Sequence, residues 1–230
     1  FDEEELVNFA EFKNSHNTVT GTAVSDITSF TAGQTYTISN ANDLNKLLEL
    51  SATQDTSNVN FVMTQDIDMS GVNDWSGIEN FKGTFDGNGY KISNLTGSQG
   101  LFKNTDSAEI KNLELENLNI TGNSEKVGGL VGSAINTNLK NIKLSGTVTN
   151  NGAKTGALAG YFKNGGGATT EISNIASYVD VTGTTQTGGL IGHYDVSYKH
   201  EDPRSNPIFK NVYSVGDVTG TNQVGGVAGY

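Results

Sequence analysis

The sequence is short of several residue types, and each shortage excludes a class of protein. Its 230 residues include no cysteine, which excludes a disulfide framework, a thiolate metal site and a cysteine nucleophile. The 14 basic residues face 25 acidic ones, and this net charge of -11 argues against binding to nucleic acid or to an anionic membrane surface. No apolar run approaches the roughly 20 residues that a membrane-spanning helix needs. We therefore expect no nucleic-acid partner and no direct membrane insertion.

Glycine, in contrast, is abundant, with 29 among 230 residues against a usual share of roughly 7%. Much of it falls in a recurring block of the form Gly-small-apolar-apolar-Gly, at 128–132, 156–160, 188–192 and 225–229. The blocks begin 28, 32 and 37 residues apart, and variable segments of 6, 11 and 16 residues follow the first three. What remains is a nearly constant unit of 21 or 22 residues, so the chain repeats one unit and inserts extra residues at one corner.

Within each unit, apolar and polar residues alternate, as around Ile142 and Leu144, which predicts short strands joined by tight turns. One unit cannot bury its apolar face alone, but copies stacked about 4.8 Å apart by parallel pairing enclose a continuous core. The sequence therefore predicts an all-β fold, a right-handed parallel β-helix (solenoid). A leucine-rich repeat is the alternative, because residues 110–118 fit its opening, but the later copies lose that leucine pattern.

Stacking the units predicts two structural features. One asparagine per unit precedes an apolar residue, and stacked amides can hydrogen-bond along the axis as a ladder. The predicted ladder consists of Asn112, Asn141, Asn174 and Asn211. The glycines of the blocks are expected to allow positive φ and to let neighbouring coils approach closely. These predicted structural glycines are Gly128, Gly129, Gly132, Gly156, Gly160, Gly188, Gly189, Gly192, Gly225, Gly226 and Gly229.

The glycine blocks resemble the GLUG motif. This motif is found in filamentous-haemagglutinin-like bacterial adhesins, in other large surface proteins and in the non-catalytic part of immunoglobulin A-specific metallopeptidases. Residues 60–70 and 81–95 are similar to the segments that commonly lead into such repeats. The resemblance covers about residues 36–230 and implies a coil-forming architecture. It implies no particular ligand, because proteins with different tasks share the motif.

The first part of the chain differs from the repeats. Leu44, Leu47 and Leu48 have helical spacing after several N-cap candidates, which predicts a short N-terminal capping helix over about 39–52. Residues 1–35 are interpreted as a strand or linker segment, and residues 36–230 as the β-helix, truncated at its C-terminal end. No polar cap follows the last glycine block, so we expect the polypeptide to continue into further coils.

Catalytic motifs are scarce. A zinc peptidase needs His-Glu-x-x-His, and the sequence at His200 and Glu201 has no second histidine at that spacing. Asp66 and Asp68 flank Ile67 on a predicted strand, so both carboxylates project outward together, as a glycosidase pair would. No second charged cluster accompanies them, and a solvated face is the preferred interpretation. We therefore predict no catalytic residue, no metal and no cofactor, and do not expect an enzyme.

The longest corner insertion, residues 193–207, concentrates residue types that are rare elsewhere. It holds two of the three histidines and both prolines of the chain. Loops on a rigid scaffold commonly carry recognition, so we predict that this loop binds a ligand. The predicted binding residues are Tyr194, Tyr198, His200 and Arg204. A tolerated insertion that packs on a neighbouring corner is an equally good interpretation.

These features predict a non-catalytic segment of a bacterial adhesin, either secreted or at the cell surface. It would form a rigid stalk or an adhesive face for a host glycan or protein ligand. Two alternatives remain open. One is a carbohydrate-active enzyme on the same scaffold, with Asp66 and Asp68 as its candidates, and the other is an accessory region of a surface protease.

Overall fold

The computed structural model describes residues 19–165, 169–196 and 207–230. The all-β class is confirmed: within these residues every ladder between named strands is parallel, and the strands form three sheets. The main path of the first sheet contains β1 (Thr22–Ala23), β2 (Thr35–Ile38), β3 (Asn60–Met63), β5 (Thr84–Asp86), β9 (Glu109–Gly122), β12 (Asn138–Asn150), β15 (Glu171–Thr182) and β18 (Ile208–Ser214). Shorter strands pair beside this path: β4 (Ile67–Asp68), β6 (Lys91–Ser93), β7 (Thr96–Gly97) and β19 (Val218–Thr219).

The other two sheets have four strands each in the described residues. The second contains β10 (Lys126–Gly128), β13 (Lys154–Gly156), β16 (Thr185–Gly188) and β20 (Asn222–Gly225). The third contains β8 (Phe102–Asp106), β11 (Val131–Ile135), β14 (Ala159–Asn164) and β17 (Ile191–Val196). From β9 onward, each repeat visits the first, second and third sheet in the same order. The constant unit found in the sequence is therefore three strands and the turns between them.

Alternation along each strand places one set of side chains in a shared core. In the first sheet, residues of successive strands stand directly opposite one another and form a buried apolar column. This column consists of Tyr36, Phe61, Phe85, Ile110, Leu139 and Ile172. Aromatic rings dominate its first part and the core beside it, where the ring centroid of Phe61 lies 5.6 Å from that of Phe81, and that of Phe81 lies 4.9 Å from that of Phe102. Aliphatic side chains continue the core through the later repeats.

The block glycines bring backbones together, but the expectation of positive φ at these positions is wrong. Positive φ occurs elsewhere, chiefly at asparagines of the turns. A Cβ on Gly129 would lie 2.5 Å from the carbonyl oxygen of Ala157 in the next repeat, and one on Gly160 would lie 2.5 Å from the backbone nitrogen of Val127. Hydrogen is the only side chain that such contacts leave room for. Gly226 differs, because nothing lies within 4 Å of its Cβ position.

A single α-helix, α1, occurs in the described residues and spans Ala41–Ser51, within the range predicted for it. The side chain of Asn40 accepts a hydrogen bond from the backbone N–H of Asp43 at 3.1 Å, which caps the first turn. Leu44 and Leu47 are completely buried in the core that the sheets share. Their spacing therefore holds α1 against the first strands.

Part of the segment predicted as a separate strand or linker joins the same sheet. Thr22 and Ala23 pair in parallel with Tyr36 and Thr37, and Val24 is completely buried in the core. Residues 1–18 lie outside the described part of the chain. Among the described residues, no helix has the length and apolar character that crossing a membrane requires.

Candidate functional site

The asparagines predicted to form a ladder lie one above the other at the same turn. The Nδ2 group of Asn141 donates to Oδ1 of Asn112 at 2.8 Å. Asn174 donates to Asn141 at 2.9 Å, and Asn211 donates to Asn174 at 3.1 Å. All four residues have φ between 51° and 55°, a region that asparagine tolerates better than other residues with a side chain. Asparagine therefore suits these four positions, where the backbone is left-handed.

A carboxylate stands at the start of this ladder. Asp86 accepts a hydrogen bond from Nδ2 of Asn112 at 3.0 Å and one from the backbone N–H of Asn88 at 2.8 Å. Because the amides all donate toward the N-terminal repeats, the first member only has to accept. Aspartate meets this requirement, since its ionised carboxylate has no donor to satisfy.

A second, shorter ladder was missed by sequence reasoning. Asn94 donates to Asp68 at 2.8 Å, and Asn117 donates to Asn94 at 2.6 Å. Both asparagines have positive φ, 61° and 56°. The signal was present, because each of them directly precedes a leucine, as Asn112 does. Again an aspartate is the first acceptor.

The carboxylates considered for catalysis serve as structural acceptors. Asp68 and Asp66 are exposed, as expected, and Asp66 accepts the backbone N–H of Lys91 at 2.9 Å. Hydrogen bonds from the side chain of Asn94 and from the backbone and hydroxyl of Ser70 hold the pKa of Asp68 below its usual value. A glycosidase general acid needs the opposite, a raised pKa that keeps it protonated near neutral pH. Asp68 therefore does not suit that role.

A metal site also lacks ligands in the described residues. Across 19–165, 169–196 and 207–230, no three His, Cys, Asp or Glu side chains come together to hold a metal ion. The zinc of a metallopeptidase therefore does not fit this part of the chain, and no step of its chemistry is assigned to it.

The predicted ligand-binding loop is described only at its two ends, at residues 193–196 and at Pro207. Tyr198, His200 and Arg204 lie outside the described residues. Tyr194 is described, and its ring stacks on Phe162 at 5.9 Å and meets the edge of Phe209 at 5.4 Å, so it packs against the core. Its neighbour has the opposite orientation, because successive side chains on a strand alternate between faces.

That neighbour, His193, belongs to an aromatic column on the outer face of the third sheet. The centroid of its ring lies 5.3 Å from that of Tyr161 and 4.9 Å from that of Tyr230. Two lysines of the second sheet lie over Tyr161, with Nζ of Lys126 at 4.4 Å and Nζ of Lys154 at 5.1 Å from the ring centroid. The column thus combines rings in tilted contact with cations, a combination that the sequence did not reveal.

Hydrogen bonds fix the orientation of these rings. The Tyr161 hydroxyl donates to Asp195 at 2.6 Å, and Nδ1 of His193 lies 3.0 Å from Oε1 of Gln186. Burial, together with the bond to Asp195, raises the pKa of Tyr161 to about 12, so the phenol stays protonated. Burial and the neighbouring Lys154 lower the pKa of His193, which keeps the imidazole neutral at pH 7.

One family model matches the N-terminal part of the described repeats. The model described as the M26 IgA1-specific metallo-endopeptidase N-terminal region matches residues 25–146, about half of the chain. The matched residues include α1 and the first asparagines of both ladders.

Two proteins illustrate the range of similarity. Halomucin of Haloquadratum walsbyi is 32% identical in an alignment 158 residues long, and the match covers 58% of this chain and 2% of halomucin. A crystal structure from Bacteroides ovatus, described as a candidate immunoglobulin A1 protease, has a TM-score of 0.68 at 21% identity. That match covers 86% of this chain and 62% of the other. Because the identity is low, the similarity concerns the fold. The chain spans only part of both proteins.

Proposed function

Since the chain belongs to the family of M26 IgA1-specific metallo-endopeptidase N-terminal regions, we propose that it is a non-catalytic scaffold within a larger surface or secreted protein. The observation that carries this proposal is the parallel register of the first sheet, which runs from β1 to β18 through every repeat. The strand backbones, the ladder amides and the apolar columns all make their contacts with the neighbouring repeats. Such an arrangement suits a stiff support that sets the distance between other parts of a polypeptide.

The proposed form of the scaffold is a right-handed parallel β-helix with α1 as its N-terminal cap. Two observations support it. Each repeat visits the three sheets in the same order, and amide ladders run between equivalent turns. Connections between parallel strands of one sheet are right-handed in nearly all known cases, which favours that hand for the winding.

The edge formed by β18, β19 and β20 exposes apolar side chains whose counterparts in the previous repeat are buried. Phe209 is 41% exposed, whereas Ile172, opposite it in the previous repeat, is completely buried. Val227 is 47% exposed, against 1% for Leu190 one repeat earlier. These exposed apolar side chains suit packing against another part of a larger protein.

The placement outside the cell and the adhesive role are proposals as well. Support for the placement comes from the family and from the similarity to halomucin. The net charge of -11 also suits a protein that is exposed to solvent, because a large net charge favours solubility. An adhesive role requires a face that can hold a ligand, and the column around His193 is the best candidate among the described residues.

Turnover assays test the non-catalytic role. The chain would be incubated with peptide and polysaccharide panels, with and without added Zn²⁺, and we expect no hydrolysis or elimination products. An Asp68→Asn variant serves as the control. Turnover by the parent chain that this variant abolishes would contradict the scaffold role and establish the carbohydrate-active alternative. Turnover that needs Zn²⁺ would contradict it equally.

A further inference from the structure

The outer face of the third sheet changes character along the chain. Its central column begins with Asn104 and Ser133, which stand in register, and continues in register with Tyr161 and then His193. Tyr230 adds a third ring to this column. Nothing in the core requires aromatic residues at outward positions, and the earlier repeats do without them. Contacts between the rings stabilise the sheet, but the earlier repeats fold without them, so the outer face of the later repeats is free to serve another role as well.

The column lies beside two cations at the corner between the second and third sheets. Lys126 and Lys154 stand in register on β10 and β13, and the ammonium groups of both lie over the ring of Tyr161. Lys154 also pairs with Glu125 at 2.6 Å. Lys163 and Asp195, which lie 3.7 Å apart, add one cation and one carboxylate beside the column. Three cations against two carboxylates give this corner a local positive excess on a strongly acidic chain.

We propose that Tyr161, His193 and Tyr230, together with Lys126 and Lys154, bind an acidic polysaccharide. The two lysines cover the ring of Tyr161 and the rings contact one another, so the sugar chain lies along their outer edges, and sugar carboxylates pair with the ammonium groups. The inference deepens the proposed scaffold role, on which it rests, by naming the class of ligand that an adhesive face would hold.

Three properties of the column favour this ligand. First, the rings repeat every 4.9 to 5.3 Å along one line, which suits a linear polymer of repeating units better than a globular surface. Second, the bonds from Tyr161 to Asp195 and between His193 and Gln186 hold the rings in place before binding. Little side-chain freedom is then lost on binding.

Third, the charge around the column is locally complementary to carboxylates. The overall charge of -11 opposes an anionic ligand at long range. At physiological ionic strength, however, charges more than about 8 Å away are largely screened, while ammonium groups in direct contact still attract. Duplex DNA carries one charge per about 1.7 Å of its axis, more than a corner with three lysines can neutralise, so the scarce cations favour a polymer with one carboxylate per sugar.

Isothermal titration calorimetry with oligogalacturonate tests the proposal. We expect binding that weakens as salt is added, and at least tenfold weaker binding of a neutral oligosaccharide of equal length. Tyr161→Ala and Lys126→Gln should each lower the association constant about threefold to tenfold, the range expected for losing one aromatic or cationic contact. Tyr178→Ala and Lys143→Gln, on the first sheet, are the matched controls and should leave binding unchanged. Thermal melting shows whether each variant is folded, and His193→Ala replaces Tyr161→Ala if that variant is not.

Several results would overturn the proposal. These are the absence of binding, equal binding of the neutral sugar, equal losses in the control variants, and equal binding of monomeric galacturonate or of a single-stranded oligonucleotide. None of these results would contradict the scaffold role, which the turnover assays test separately. The failures of the two proposals can therefore be told apart.

Discussion

The asparagine ladder gives the sharpest expectation about stability, at its inner member Asn141. This residue donates to Asn112 at 2.8 Å, accepts from Asn174 at 2.9 Å and has a φ of 53°. Asn141→Ala removes both hydrogen bonds, at about 1 kcal/mol each, and puts Ala in left-handed backbone, at roughly 1 kcal/mol. The expected loss in the free energy of unfolding is therefore about 3 kcal/mol.

Asn141→Gly separates the two contributions, because glycine adopts positive φ without strain. We expect this variant to lose about 2 kcal/mol, which is the hydrogen-bond part alone. Urea denaturation followed by circular dichroism measures both values. The exposed Asn123 provides the control, and Asn123→Ala should stay within about 0.5 kcal/mol of the parent. If Asn141→Ala matched that control, the ladder would not stabilise the fold, and if the Ala and Gly variants matched each other, the backbone argument would be refuted.

Two further expectations concern close packing and pH. Gly129→Ala should lower the free energy of unfolding by about 1 to 3 kcal/mol, because its Cβ would meet a carbonyl oxygen of the next repeat. Gly226→Ala should leave the free energy of unfolding nearly unchanged, because nothing lies within 4 Å of its Cβ position. Equal urea midpoints for the two variants would contradict this reasoning. Asp43 is the pH-sensitive group: burial would raise its pKa, but hydrogen bonds from Ser25 and Ser39 outweigh burial and lower it. Its stabilising effect is therefore complete above the unfolded-state pKa of about 3.9 and lost as the pH falls through the lower folded-state value. Asp43→Asn should weaken this acid dependence of the unfolding free energy, and an unchanged dependence would exclude Asp43 as its source.

Much of the fold could be predicted from the sequence, because the repeat length and the alternation of apolar residues determine strands and shared faces. The asparagine column is a good example, since one residue type recurs at a fixed place before an apolar residue. Positive φ was assigned to the wrong residue type. Glycine tolerates it, but the turns that need it are occupied by asparagines such as Asn141, while glycines such as Gly129 make room for a neighbouring backbone.

The candidate site could not be predicted in the same way. The contact between Lys126 and Tyr161 joins two sheets across a corner, and its geometry depends on how the sheets meet. The pattern of one strand carries no information on that angle. The orientation of Tyr194 could not be predicted either, because the residue types of an insertion do not indicate which face of a strand each side chain occupies. The strand register now shows that His193 faces outward and Tyr194 faces the core.

The central claim is that the repeats stack in register along one axis, and the absence of cysteine makes it directly measurable. Thr37, Lys140 and Lys210 belong to one column of the first sheet, and Lys140 and Lys210 lie four and six strands beyond Thr37. Spin labels would be attached to cysteines placed at Thr37 and Lys140, and in a second variant at Thr37 and Lys210. Double electron–electron resonance should give narrow distance distributions for the two pairs of labels. One strand spacing of about 4.8 Å per repeat predicts backbone separations of about 19 Å for the first pair and about 29 Å for the second. Broad distributions, or distances that do not increase with the number of strands between the labels, would contradict the stacked scaffold.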